Sequence, residues 1–116
     1  MDDEELRASR ARARVFKALA HPSRMYIVTR LHRQPANVGD LAAAVGSDIS
    51  TISKHLAVLK SAGIVKDTVR GRSVYYELYC PCIPEFLRCV DEVILHNQCP
   101  LPGRGSRPGS GPPGAP

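Results

Sequence analysis

Residues 38–63 read VGDLAAAVGSDISTISKHLAVLKSAG, and their punctuation decides the fold. Leu41, Ala44 and Val45 give a short helix one apolar face, and Gly46 turns the chain behind it. Asp48 is a good N-cap for a second helix. Along it Ile49, Ile52, Leu56 and Leu59 recur at helical spacing until Gly63 stops it at the C′ position. A short helix, a glycine turn and a second helix carrying small polar residues are the ingredients of a helix-turn-helix. Ile52, Leu56 and Leu59 hold the second helix against the domain, which leaves Ser50, Thr51, Ser53, Lys54 and His55 exposed or partly so near its N-terminal half. Small hydroxyls approach phosphates and base edges closely, while Lys54 and His55 add charge and donors. Taken singly, each of these is equally an ordinary solvated position on an amphipathic helix.

The flanking sequence separates the two readings. Downstream, IVKDTVRGRSVYYELY alternates β-branched and aromatic residues around a central Arg-Gly-Arg, the pattern of a β-hairpin. Arg70 and Arg72 at the tip, with Lys66 behind them, form a charged wing placed to reach phosphates or the minor groove. Upstream, EELRASRARARVFKALA has no helix breaker, and PSRMYIVTRLHR starts with a proline suited to the first turn of a helix. Gln34 to Asn37 reads as a loop. After the hairpin, Ile83-Pro84 opens a last helix with Ile83 as its N-cap, and Phe86, Cys89, Val90, Val93 and Ile94 form an apolar stripe along it. The fold class is therefore mainly α with a β-hairpin, a winged helix-turn-helix.

From residue 100 the chain is Pro, Gly, Ser and Arg with little else, too poor in apolar surface to offset its ordering entropy. Residues 1–99 are expected to form one DNA-binding and dimerisation domain and residues 100–116 a disordered tail. The net charge of +5 and pI near 9.3 favour a polyanionic partner without requiring one. No run of apolar residues approaches a membrane span, and the acidic-then-basic start MDDEELRASRARARVF lacks the form of a signal peptide, so a reducing cytoplasm is expected. No Ser-His-Asp, paired-carboxylate or glycine-rich phosphate motif is present, which argues against an enzyme.

The runs FKALAHPSRMYIVTRL, DLAAAVGSDISTISKHLAVLKSAGIV and RGRSVYYEL resemble the ArsR/SmtB family of bacterial metal-sensing repressors. The resemblance implies a homodimer packed through its first and last helices. It also implies a repressor that leaves a double-stranded, inverted-repeat operator when an inducer binds. Some family members carry a cysteine motif on the helix before the recognition helix; GDLAAAV has none. Others use Asp and His pairs along the last helix, but Asp91 and His96 stand roughly 140° apart around that helix.

All four cysteines fall in CPCIPEFLRCVDEVILHNQC, residues 80–99. Clustered soft thiolates select thiophilic ions, and a site of Cys80, Cys82 and Cys89 suits a trigonal ion such as arsenite or antimonite, with Cys99 a weaker candidate. Four thiols would suit tetrahedral cadmium or zinc. Cys82 and Cys89 lie about 10 Å apart along a straight helix, so either the Cys-Pro-Cys segment folds back or Cys89 comes from the partner subunit. Two alternatives stay open: Cys80 and Cys89 as small buried hydrophobes, and a thiol-redox switch.

Overall fold

The computed structural model describes residues 1–97, so Cys99 and the Pro/Gly-rich segment 100–116 lie outside the described residues. The elements run α1 (Asp3–Leu19), α2 (Pro22–Arg33), β1 (Ala36–Asn37), α3 (Val38–Val45), α4 (Ile49–Ser61), β2 (Val65–Arg70), β3 (Ser73–Leu78) and α5 (Ile83–His96). They fall in two compact units, Met1–Pro81 with α1 to β3, and a second that starts at Cys82 and contains α5.

Each helix of the first unit starts where a side chain takes up an orphan backbone donor. The Asp2 carboxylate accepts from the Glu5 amide at 2.7 Å while Glu5 accepts from the Asp2 amide at 3.1 Å, a reciprocal capping box. His21 caps α2 by accepting from the Ser23 amide through Nδ1 at 3.1 Å. Asn37 caps α3, accepting from Asp40 at 2.8 Å, and Asp48 caps α4, accepting from Thr51 at 2.7 Å. Gly46 and Gly63 end α3 and α4 with φ of 81° and 78°, the left-handed geometry that costs other residues strain.

Helices α2, α3 and α4 meet through Ile27, Val28, Leu41, Ile52, Leu56 and Leu59, each at most 1 % exposed. Ile64 and Val65 extend this core into the start of the hairpin. The helical spacing predicts Ile49 on the same apolar face, yet it is 55 % exposed. As the first residue of α4 it lies beyond the surface that α2 and α3 cover.

The expected hairpin forms with Val65 opposite Leu78 and Arg70 opposite Ser73, and Gly71 turns its tip at φ 62°. The loop reading of residues 34–37 changes. Ala36 and Asn37 pair antiparallel with Tyr76 and Tyr75, giving a three-stranded sheet in the order β1-β3-β2. Two residues are too few for a recognisable alternation, so the strand is defined by its partner rather than by its own sequence.

In the second unit the N-cap of α5 is Cys82, not Ile83, and Pro84 falls at the second helical position. Ile83 is taken into the helix and buried to 9 % exposure. Burial of such a side chain stabilises by about 2 kcal/mol, enough to offset the preference a proline imposes on the residue before it. Among the described residues no helix is long and apolar enough to cross a membrane.

Candidate nucleic-acid interface and thiol positions

Helix α4 shows one side of its N-terminal half to solvent because Ile52, Leu56 and Leu59 commit the other side to the core. Ser50, Thr51, Ser53 and Lys54 are all exposed there. Ser50 and Thr51 are also tied to the cap: the Ser50 hydroxyl donates to Asp48 at 3.0 Å, and the Thr51 amide to the same carboxylate oxygen. Those bonds, the Thr51 amide first, hold the Asp48 carboxyl below the usual aspartate range. The first turn of α4 is thereby set in a fixed geometry, with the exposed cation Lys54 on its rim.

His55 behaves differently from its neighbours. It is half-buried and faces α2, where its Nδ1 accepts from Arg24 Nε at 3.2 Å. Its ring centroid lies 4.4 Å from that of His21, tilted by 51°. Arg24 also donates through Nη1 to the Ala18 carbonyl at 3.1 Å. Burial, then the positive potential of His21 and Arg24, holds the His55 pKa below its ordinary 6.5. Of the five α4 residues singled out by sequence, His55 is the one built into the scaffold.

The wing places its charges on aromatic supports. Lys66 pairs with Glu77 at 3.5 Å and lies 5.6 Å from the centre of the Tyr79 ring. The Arg70 guanidinium stands 5.2 Å from the Tyr75 ring, a cation–π arrangement that narrows where the fork can point. Arg72 is exposed at the tip. Val69 and Val74, a cross-strand pair, are 72 % and 40 % exposed, so the tip also offers apolar surface. At the base of the wing, Lys60 bridges to Asp67 at 2.9 Å and ties the end of α4 to β2.

Sequence reasoning did not single out Arg24. A signal existed: a cation in the first turn of a helix opposes the helix dipole, and none of the residues at helical spacing from it within α2 is acidic. Its purpose becomes visible only with α4 in place.

Cys80 lies just after β3, Cys82 holds the N-cap position of α5 without a side-chain capping bond, and Cys89 is an exposed free thiol on α5. Cys80 and Cys82 are each disulfide-bonded. Among the described residues no group of three or more His, Cys, Asp or Glu side chains is gathered to hold a metal ion.

Comparison with known proteins agrees with this geometry. A family model described as a helix-turn-helix domain matches residues 19–68. The HTH-type transcriptional regulator NmtR of Mycobacterium tuberculosis is 41 % identical over 86 residues, which cover 74 % of this chain and 69 % of that protein. The HTH-type transcriptional regulator CmtR of the same organism is 36 % identical over 107 residues, 92 % of this chain and 90 % of that protein. Among solved structures, the homodimeric winged helix-turn-helix DNA-binding domain of Mb0332 from Mycobacterium bovis, a possible ArsR-family regulator, superimposes with a TM-score of 0.74 at 29 % identity. It covers 83 % of this chain and 89 % of that one. With helix, turn, helix and wing in this order and relatives spanning most of its length, the chain belongs to the ArsR/SmtB family of winged helix-turn-helix transcriptional regulators.

Proposed function

We propose that this protein is a transcriptional repressor that holds an inverted-repeat operator as a homodimer and releases it when arsenite or antimonite binds Cys80, Cys82 and Cys89. Residues 1–99 act as one DNA-binding and dimerisation domain, joined to the second copy through α1 and α5. Exposed apolar side chains on both helices, Phe16 at 55 % and Val93 at 58 %, support that pairing. Ser50, Thr51, Ser53 and Lys54 meet the major groove, with Lys66, Arg70 and Arg72 on the backbone or minor groove.

The observation that carries the inducer assignment is the free, exposed thiol of Cys89 on the helix whose N-cap position Cys82 holds. Sulfur donors alone suit a soft, trigonal ion. Cys82 and Cys89 stand about two helical turns, or 10 Å, apart along α5, which favours a site completed by Cys89 of the second copy. The fit requires Cys80 and Cys82 as thiolates, since disulfide sulfurs do not ligate. Ligand binding displaces thiol protons, so apparent inducer affinity rises with pH.

The bonded state of Cys80 and Cys82 favours a second reading, a peroxide-responsive repressor. Two thiols would give up two protons and two electrons to hydrogen peroxide, forming one disulfide and two waters.

The two readings separate in one experiment. Duplex DNA selected from a random library by the reduced protein is followed by fluorescence anisotropy during titration with arsenite, cadmium, zinc and hydrogen peroxide. Arsenite should weaken binding by roughly 5- to 150-fold at about one ion per subunit. Cys89→Ser should keep DNA binding and lose this response. Release by peroxide alone replaces the metalloid reading with the redox one, and release by cadmium or zinc alone replaces the ion.

A further inference from the structure

The contact between α2 and His55 is a hydrogen bond with only one workable protonation state. Arg24 is a permanent donor, so His55 Nδ1 must accept and its remaining proton must sit on Nε2. His21 is constrained in the same sense, because its Nδ1 accepts from the Ser23 amide at the start of α2. Two imidazoles with both Nδ1 atoms committed as acceptors thus stand 4.4 Å apart beside a guanidinium. A proton on His55 Nδ1 would set donor against donor and add a second positive charge to the cluster.

The position of this cluster gives it a role. His55 lies one residue after Lys54 on the helix that reads DNA, and Arg24 links it both to α2 and, through the Ala18 carbonyl, to the end of α1. We propose that Arg24 and His21 are positioning residues that hold the recognition helix through neutral His55, and that protonation of His55 releases this hold and weakens DNA binding. The inference rests on the DNA-binding assignment and is independent of the cysteines.

The sign follows from the groups present. Burial first, then His21 from the α1–α2 junction and Arg24 from α2, act against a proton on His55, and among the described residues no carboxylate from α3 or β2 offsets them. The held state therefore takes up a proton less readily than a released state with an ordinary pKa of 6.5. The hold is complete above that value and is lost as pH falls from it through the lowered value of the held state. Positive charge added at an exposed position favours DNA rather than opposing it. A loss of affinity in acid is thus not a general charge effect.

The test pairs an NMR titration of the histidine side chains with anisotropy on a mixed-sequence duplex at constant salt, from pH 7.5 to 5.5. His55 in the wild-type protein should be the Nε2–H tautomer and titrate below 6.5, and DNA affinity should fall about three- to tenfold across the range. In Arg24→Met the His55 midpoint should move up toward 6.5 and the acid loss of affinity should disappear. His55 titrating at or above 6.5 in the wild type would overturn the proposal, as would an unchanged pH profile in Arg24→Met. The wild-type titration needs neither variant nor DNA, so it decides the question even if Arg24→Met folds poorly. Failure of the DNA-binding assignment is distinguishable, since it would appear as no binding at pH 7.5.

Discussion

Replacing Arg70 and Arg72 together with alanine should cost this protein most of its DNA affinity while leaving its fold intact. Both side chains are exposed at the hairpin tip. Neither forms a salt bridge among the described residues, and Arg70 rests on Tyr75. Each phosphate that a side chain neutralises contributes about 0.9 to the log–log slope of affinity against salt. Two contacts per wing, and two wings in the proposed dimer, give a slope change of about 3.6. At physiological salt that corresponds to roughly three orders of magnitude in Kd. The measurement is anisotropy at several salt concentrations with thermal unfolding as the control. An unchanged slope would mean that the wing does not touch the backbone. A uniform loss of affinity across unrelated sequences would identify the contacts as phosphate rather than base contacts.

The largest effect on stability is expected at Leu56. Its side chain is 1 % exposed, on a helix that packs against both α2 and α3. Leu56→Ala removes the apolar surface of three carbons and leaves a cavity, at about 3 kcal/mol. Against a total stability of about 5–15 kcal/mol, that is a large share for a chain of this size. Urea unfolding should show a lower midpoint with an unchanged slope. Val58→Ala on the same helix is the control: Val58 is 38 % exposed, and its loss should change stability by only about 0.5 kcal/mol. Equal losses at both positions would mean that the face of α4 turned toward the core has been misassigned.

What could be read from the sequence divides along physical lines. The reading motif was legible because its signals are local. Asp48 and Gly63 mark the ends of α4 through bonds to residues within one turn, and Ile52, Leu56 and Leu59 announce its inner face. The hairpin was legible for a similar reason, since Arg70-Gly71-Arg72 carries its own turn geometry. Strand β1 was not, because Ala36 and Asn37 become a strand only through Tyr76 and Tyr75, far along the chain. The inward turn of His55 was hidden likewise: its donor, Arg24, is 31 residues away. At the thiols, the sequence supplied positions and not bonding. Whether Cys80 and Cys82 stand as thiolates or in disulfide bonds depends on electrons exchanged with the surroundings, which no spacing rule encodes.

Strand β1, slight as it is, also bears on the order in which the chain assembles. Asn37 pairs with Tyr75 and caps α3, and the whole of α3, α4 and β2 lies on the loop between those two residues. Closing a loop of this length costs entropy before any bond repays it, whereas α3, α4 and their turn form from near neighbours. The two backbone pairs of β1 act as a clasp that fastens after the helices have met, a seam closed last around the part of the molecule that reads DNA.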